Sequence, residues 1–246
     1  MKEFMNKFGG FKISLPRKIP VSLDQDFEIH VFVDASKLAY AACVYCRSLT
    51  DQRTSLIFAK SRIRPVKLLS IPKRELMAAL IGSRSLLYII SHLAEEHKIH
   101  FRKTYLWSYS RCVFYWLKDE TKLLKRFIEN RVKEIRKCKA IFRYVPSELN
   151  PADIPSRGAM PRALSESTLW WNGPKFLVET EKDWPKNEVP DQSHDEDEFE
   201  NWEEVNKNCK LIAANIKSFN FQTIQLYDPK YFDSWKTLNR SIALMS

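Results

Sequence analysis

The run Phe27-Glu28-Ile29-His30-Val31-Phe32-Val33-Asp34-Ala35-Ser36 constrains the fold more than any other part of the chain. Ile29, Val31 and Val33 alternate with His30, Phe32 and Asp34. β-Branched and aromatic residues in this period, with no breaker among them, make a strand buried on at least one face. Asp34 is its last extended residue. A carboxylate at the end of a buried strand is costly to desolvate unless a positive charge meets it. Asp34 is therefore either a turn residue facing solvent or a ligand for a cation, and these residues alone leave both open.

Two more extended segments follow at residues 39–47 and 55–61, with the polar turn 48–54 between them, in the pattern of an antiparallel meander. Pro72 suits the first turn of a helix, and residues 73–93 carry Leu76, Ala79, Leu80, Ser83, Leu87 and Ile90 at helical spacing. This places Glu75 in the first turn. The plain reading of an acid there is a favourable position near the helix N-terminus, worth a few tenths to about 1 kcal/mol. Residues 102–107 read as a fourth strand, 108–110 as a turn and 111–117 as a short helix. Residues 125–137 form another helix, with Phe127, Ile128, Val132 and Ile135 on its apolar side. Residues 140–145 give a fifth strand. It ends in a polar turn that leads to a loop or short helix carrying Asp153. Strands and helices in this order predict an α/β layered domain.

With 44% hydrophobic and 13% aromatic residues in 246, the chain can bury a full core, which excludes a chain disordered throughout. No apolar run is read as membrane-spanning, and the first residues lack the apolar core of a signal peptide. The expectation is an intracellular protein, nuclear or cytoplasmic, with no membrane partner. Cys43, Cys46, Cys112, Cys138 and Cys209 are odd in number. Cys43 and Cys46 lie three apart in a strand and point to opposite faces, so buried thiols are favoured over zinc. His92, His97 and His100 make no metal pattern and read as surface histidines.

Charge is unevenly placed. Residues 1–190 hold 34 Lys/Arg against 20 Asp/Glu, a balance of +14, whereas residues 191–246 hold 6 against 10, a balance of −4. A basic body points toward nucleic acid. Its densest run, residues 118–139, has nine basic residues against four acidic ones. Lys125, Arg126, Arg131, Lys133 and Arg136 there are either a solvated helix face or a nucleic-acid surface. The expected organisation is a Pro-interrupted lead-in at 1–26, a folded body at 27–160 and an aromatic extension at 161–190. An acidic linker at 191–206 and a helical C-terminal segment at 207–246 would follow. The last two offer a surface for a protein partner.

Local sequences narrow the reading. Phe32-Val33-Asp34-Ala35-Ser36 with Tyr40, Ala59-Lys60-Ser61-Arg62-Ile63-Arg64-Pro65, Ile71-Pro72-Lys73-Arg74-Glu75-Leu76, Phe127-Ile128-Glu129-Asn130-Arg131-Val132 and Asn150-Pro151-Ala152-Asp153-Ile154-Pro155-Ser156-Arg157-Gly158 resemble, in this order, the RNase H region of BEL/Pao-type retrotransposon polyproteins. Trp170-Trp171-Asn172-Gly173-Pro174 resembles the block after that domain, and Tyr231-Phe232-Asp233-Ser234-Trp235 the connector toward an integrase region.

The resemblance implies an RNase H-like mixed five-stranded sheet with flanking helices. It also implies cleavage of RNA in an RNA–DNA hybrid, with four carboxylates holding two Mg²⁺ (or Mn²⁺) ions about 4 Å apart. Carried onto this chain, Asp34 bridges the ions, Glu75 binds one and Asp153 the other. The fourth acid is missing. Where the family has Trp-Thr-Asp-Ser, this chain has Trp107-Ser108-Tyr109-Ser110. A phenol with a pKa near 10 is neutral and supplies no charge. One carboxylate about 4 Å from a divalent ion is worth several kcal/mol at an effective dielectric near 20.

Three functions follow as expectations. The first is a catalytically impaired, domesticated RNase H-like protein that binds an RNA–DNA hybrid or RNA, or a protein. The second is an active Mg²⁺-dependent ribonuclease that tolerates Tyr109. The third is a protein scaffold with an unused groove. The chain is read as a polyprotein fragment or a separately retained gene product.

Overall fold

The computed structural model describes residues 26–65, 69–97, 101–118 and 124–187. The lead-in up to residue 25, His100, Asp119, Glu120, the acidic stretch and the C-terminal segment lie outside the described residues. Chain order is β1 (Phe27–Ala35), β2 (Ala39–Ser48), β3 (Thr54–Ile63), α1 (Ile71–His97), β4 (Phe101–Ser108), α2 (Arg111–Lys118), α3 (Arg126–Arg136), β5 (Ile141–Tyr144), α4 (Asp153–Arg157), α5 (Pro161–Glu166) and α6 (Thr168–Asn172). The strands form one mixed sheet in the order β3-β2-β1-β4-β5. β1, β2 and β3 pair antiparallel, while β1–β4 and β4–β5 are parallel. Parallel pairs need a covered crossover, and α1 supplies the one between β3 and β4.

β1 is buried along its whole length on both faces. That excludes a solvent-facing turn at Asp34, which is 2% exposed. On one face Ile29, Val31, Val33, Ala42 and Val44 pack with Leu76, Ala79, Leu86 of α1 and with Val113, Val132 and Ile135 of α2 and α3. α1 approaches β1 so closely that a Cβ on Gly82 would meet Val33 Cγ1 at 2.4 Å and Val31 Cγ1 at 3.2 Å. Only glycine fits there without a shift.

The opposite face presents Phe32, Cys43, Tyr45, Tyr105 and Trp107 to Phe176, Leu177 and Trp184. Trp184 stands edge-on to His30, Tyr105 and Trp107 at 5.3, 5.2 and 5.5 Å between centroids. Tyr45 donates to the Trp170 carbonyl at 2.7 Å and Arg47 to that of Glu179 at 2.8 Å. The segment after Gly158 therefore covers one side of the sheet. Cys43 and Cys46 are buried free thiols on opposite faces of β2.

Three local expectations change. α1 begins at Ile71, with the Arg74 N–H bonded to the Ser70 carbonyl at 3.0 Å, so Glu75 stands beyond the first turn. Leu87 is 41% exposed, and Leu86 and Ile89 fill the buried side instead. The stretch Ile71–Leu93 is by length and composition long and apolar enough to cross a membrane, contrary to the sequence reading. Its apolar side chains here pack between the sheet and the outer helices.

Candidate active site

Asp34 stands near the carboxyl end of β1, with Glu75 and Asp153 each close enough to it for their charges to interact. Phe32 pairs with Trp107 in the parallel register, and Tyr109 follows just past the end of β4, near enough to Asp34 for that carboxyl to act on its hydroxyl. Glu75 reaches the same point from α1 and is 2% exposed. Asp153 comes from α4, which packs on β1 and β2. The turn before α4 is fixed by buried Asn150, whose Nδ2 donates to the Val33 carbonyl at 2.9 Å while its Oδ1 accepts from Ala152 N–H at 3.1 Å. The β1–β2 turn is tied in by Ser36, which donates to the Ser156 carbonyl at 2.5 Å. Arg74 in turn donates to the Ser36 carbonyl.

Each acid has an internal partner. The Tyr109 hydroxyl donates to Glu75 Oε1 at 2.5 Å. The Ser156 hydroxyl donates to Asp34 Oδ2, and Arg157 Nε to Asp153 Oδ1 at 2.5 Å. Burial foremost, with Asp34 beside it, pushes the Glu75 carboxyl up to about 8 against the opposing hydrogen bond from Tyr109. Burial also raises Asp34, opposed by Ser156 and assisted by Asp153. Burial, with Glu75 next, raises the Tyr109 hydroxyl, so it stays a neutral donor. Glu75 accordingly holds a proton at neutral pH.

The RNase H fold family works with Mg²⁺, so the fit of an ion can be judged on these atoms. Glu75 Oε2 is buried with no hydrogen-bond partner among the described residues, and a cation could use it only by displacing the Glu75 proton. Tyr109 occupies Oε1, and no group of three His, Cys, Asp or Glu side chains among the described residues is placed to hold a metal. A two-ion centre does not fit the residues as they stand.

The basic helix divides. Lys125, Arg126 and Lys133 are on the exposed side, Lys133 paired with Glu129 at 2.5 Å. Arg131 lies inside the helical layer: its guanidinium stacks 3.5 Å from the Phe127 centroid, with Nε on Met77 Sδ at 3.0 Å. Arg136 donates to the Leu117 and Trp116 carbonyls at 3.1 and 3.2 Å, closing the C-terminus of α2. Asn150, Ser156 and Arg157 carry the site's hydrogen bonds and had no role assigned from sequence. The signal available was the spacing of Ser156 and Arg157, three and four residues after Asp153, which sets all three on one side of a helix.

The strand order and the α1 crossover are those of an RNase H-like fold. Residues 1–110 match the family model described as Pao retrotransposon-like RNaseH-like domain. That match spans β1 to β4 and takes in Asp34, Glu75 and Tyr109. Asp153 lies beyond the matched residues. Similar solved structures include RNase H1 from Halobacterium salinarum, at 10% identity over 52% of this chain and 90% of that one, TM-score 0.37. LC11-RNase H1, solved in complex with an RNA/DNA hybrid, is similar at 14% identity over 56% and 99%, TM-score 0.39. The N-terminal RNase H domain of a Mycobacterium tuberculosis protein is similar at 11% over 57% and 96%, TM-score 0.40. No curated protein matches the chain.

Proposed function

We propose that this protein is a retroelement-derived RNase H-like module that binds an RNA–DNA hybrid or RNA and is impaired in hydrolysis. The observation that carries the reading is the Tyr109 hydroxyl seated on Glu75 at 2.5 Å, where an acid would be needed. The phenol adds bulk and takes one of the two Glu75 oxygens, while burial keeps the Glu75 carboxyl protonated. Mg²⁺ or Mn²⁺ would have to displace that proton and hydrogen bond before Asp34, Glu75 and Asp153 could act together. Binding is supported by the balance of +14 over residues 1–190, from 34 Lys/Arg and 20 Asp/Glu, and by exposed Lys125, Arg126 and Lys133.

The test is a hybrid with a labelled RNA strand, incubated with Mg²⁺ and separately with Mn²⁺. Wild-type protein is expected to retain the hybrid and return it intact. Tyr109→Asp is expected to gain cleavage. Cleavage by wild type that disappears in Asp34→Asn overturns the impairment. Failure of wild type to bind either hybrid or RNA overturns the binding.

A further inference from the structure

Within that nucleic-acid reading, we infer that the outer surface formed by the edge of β3 and the exposed side of α1 is a binding site for a single nucleic-acid strand. Its cations are Lys60 and Arg62, with Arg84 beside them in an ion pair to Glu134, and its aromatic platform is Tyr88 with Phe58.

β3 is an edge strand of the sheet. Phe58, Lys60 and Arg62 pair with Val44, Ala42 and Tyr40, residues that face α1, so all three project to the α1 side of the edge. Lys60 and Arg62 are exposed, and neither pairs with a carboxylate among the described residues. Across from them α1 presents Arg84, its side chain 53% exposed, and one turn on Tyr88, 56% exposed. Tyr88 stacks on His92 at 5.7 Å and leans on Phe58 at 6.2 Å.

Like charges are gathered here. Burial, then Arg62 and Arg84, hold the Lys60 ammonium below its ordinary range, and burial, then Arg84, lower Arg131. Glu134 answers Arg84 at 2.6 Å and leaves Lys60 and Arg62 without an acid. Edge strands are often charged to prevent pairing with another chain. That accounts for charge at the edge, but not for the exposed Tyr88 ring set against Phe58 beside it.

Two features select a single strand. Lys60 and Arg62 stand two residues apart, about 7 Å along a strand. Such a row tracks successive phosphates of an extended backbone. The aromatic surface of Tyr88 continues the row, so bases can stack beside the phosphate contacts. An acidic peptide would satisfy the cations but has no use for the ring.

The experiment measures anisotropy of labelled oligouridylate, oligodeoxythymidylate and RNA–DNA hybrid with the full chain over a range of salt. Lys60→Gln with Arg62→Gln is expected to weaken single-strand binding tenfold or more and to flatten the slope of log K on log salt by about 1.4. Tyr88→Ala is expected to cost about fivefold or more. Thermal melting confirms that the exposed substitutions leave the fold intact. The two single-strand arms show whether RNA or DNA is preferred.

If wild type binds and these variants bind equally well while Lys125→Gln with Arg126→Gln weakens, the β3 surface is not used although the nucleic-acid reading stands. If polyglutamate alone is held through Lys60 and Arg62, the site belongs to an acidic protein and the inference is overturned. If wild type binds none of the nucleic acids, both readings fall.

Discussion

Replacing Glu75 with glutamine should remove most of the pH dependence of stability across the neutral range. Glu75 is 2% exposed, and burial raises its carboxyl from an ordinary 4.5 to about 8. The folded protein therefore keeps a proton that the unfolded chain releases. Its contribution is complete below about pH 4.5 and is lost as pH rises through about 8. Each pH unit within that window costs about 1.4 kcal/mol, so the whole loss is of order 5 kcal/mol, comparable with the net stability of a typical domain. Glutamine is neutral throughout and keeps an oxygen for the Tyr109 hydroxyl.

Urea unfolding followed by tryptophan fluorescence at a series of pH values measures the effect. Wild-type stability should fall steadily from about pH 5 to about pH 8, while Glu75→Gln loses much less and is the more stable protein at the alkaline end. Asp34, raised in the same direction by burial, leaves a residual slope of the same sign in the variant. Equal slopes for the two proteins would refute the account of Glu75 as a buried acid held neutral.

Other outcomes follow from the packing. Gly82→Ala should cost about 1–3 kcal/mol, read as a lower melting temperature, because its Cβ would stand 2.4 Å from Val33 Cγ1. Trp184→Ala should cost about 3–5 kcal/mol in chemical unfolding, since the ring is 4% exposed among His30, Tyr105 and Trp107; an unchanged midpoint would mean that the cover is dispensable. Cys43 and Cys46 should resist thiol reagents in the native protein and react once it is unfolded. Burial pushes both thiols up, that of Cys46 to about 12.

Much of the fold is legible in the sequence because its elements carry their own period. Alternation in β1, the polar turn between β2 and β3 and the apolar run of α1 each specify an element without tertiary help. Glu75 was harder to read. Whether a helix starts at Ile71 or two residues later decides if an acid caps the terminus or faces the sheet, and helix ends are weakly encoded.

Arg131 and Arg136 show a second limit. A guanidinium on a basic helix looks the same in sequence whether it meets a phosphate or, as here, Phe127 and the carbonyls ending α2. The segment after Gly158 has no period because it is held contact by contact. Trp170, Phe176 and Trp184 have partners only once the second face of the sheet exists. Within the site, Tyr109 reads in the sequence as a departure from the pattern that the resemblance implies. Its hydrogen bond to Glu75 required the β1–β4 register.

Calorimetric titration of Mg²⁺ and Mn²⁺ into wild type, Asp34→Asn and Tyr109→Asp tests most directly whether the phenol has closed the acid pocket. The account predicts that wild type gives no saturable binding beyond that of Asp34→Asn, and that Tyr109→Asp gains a saturable site. Saturable binding by wild type that Asp34→Asn abolishes would contradict it.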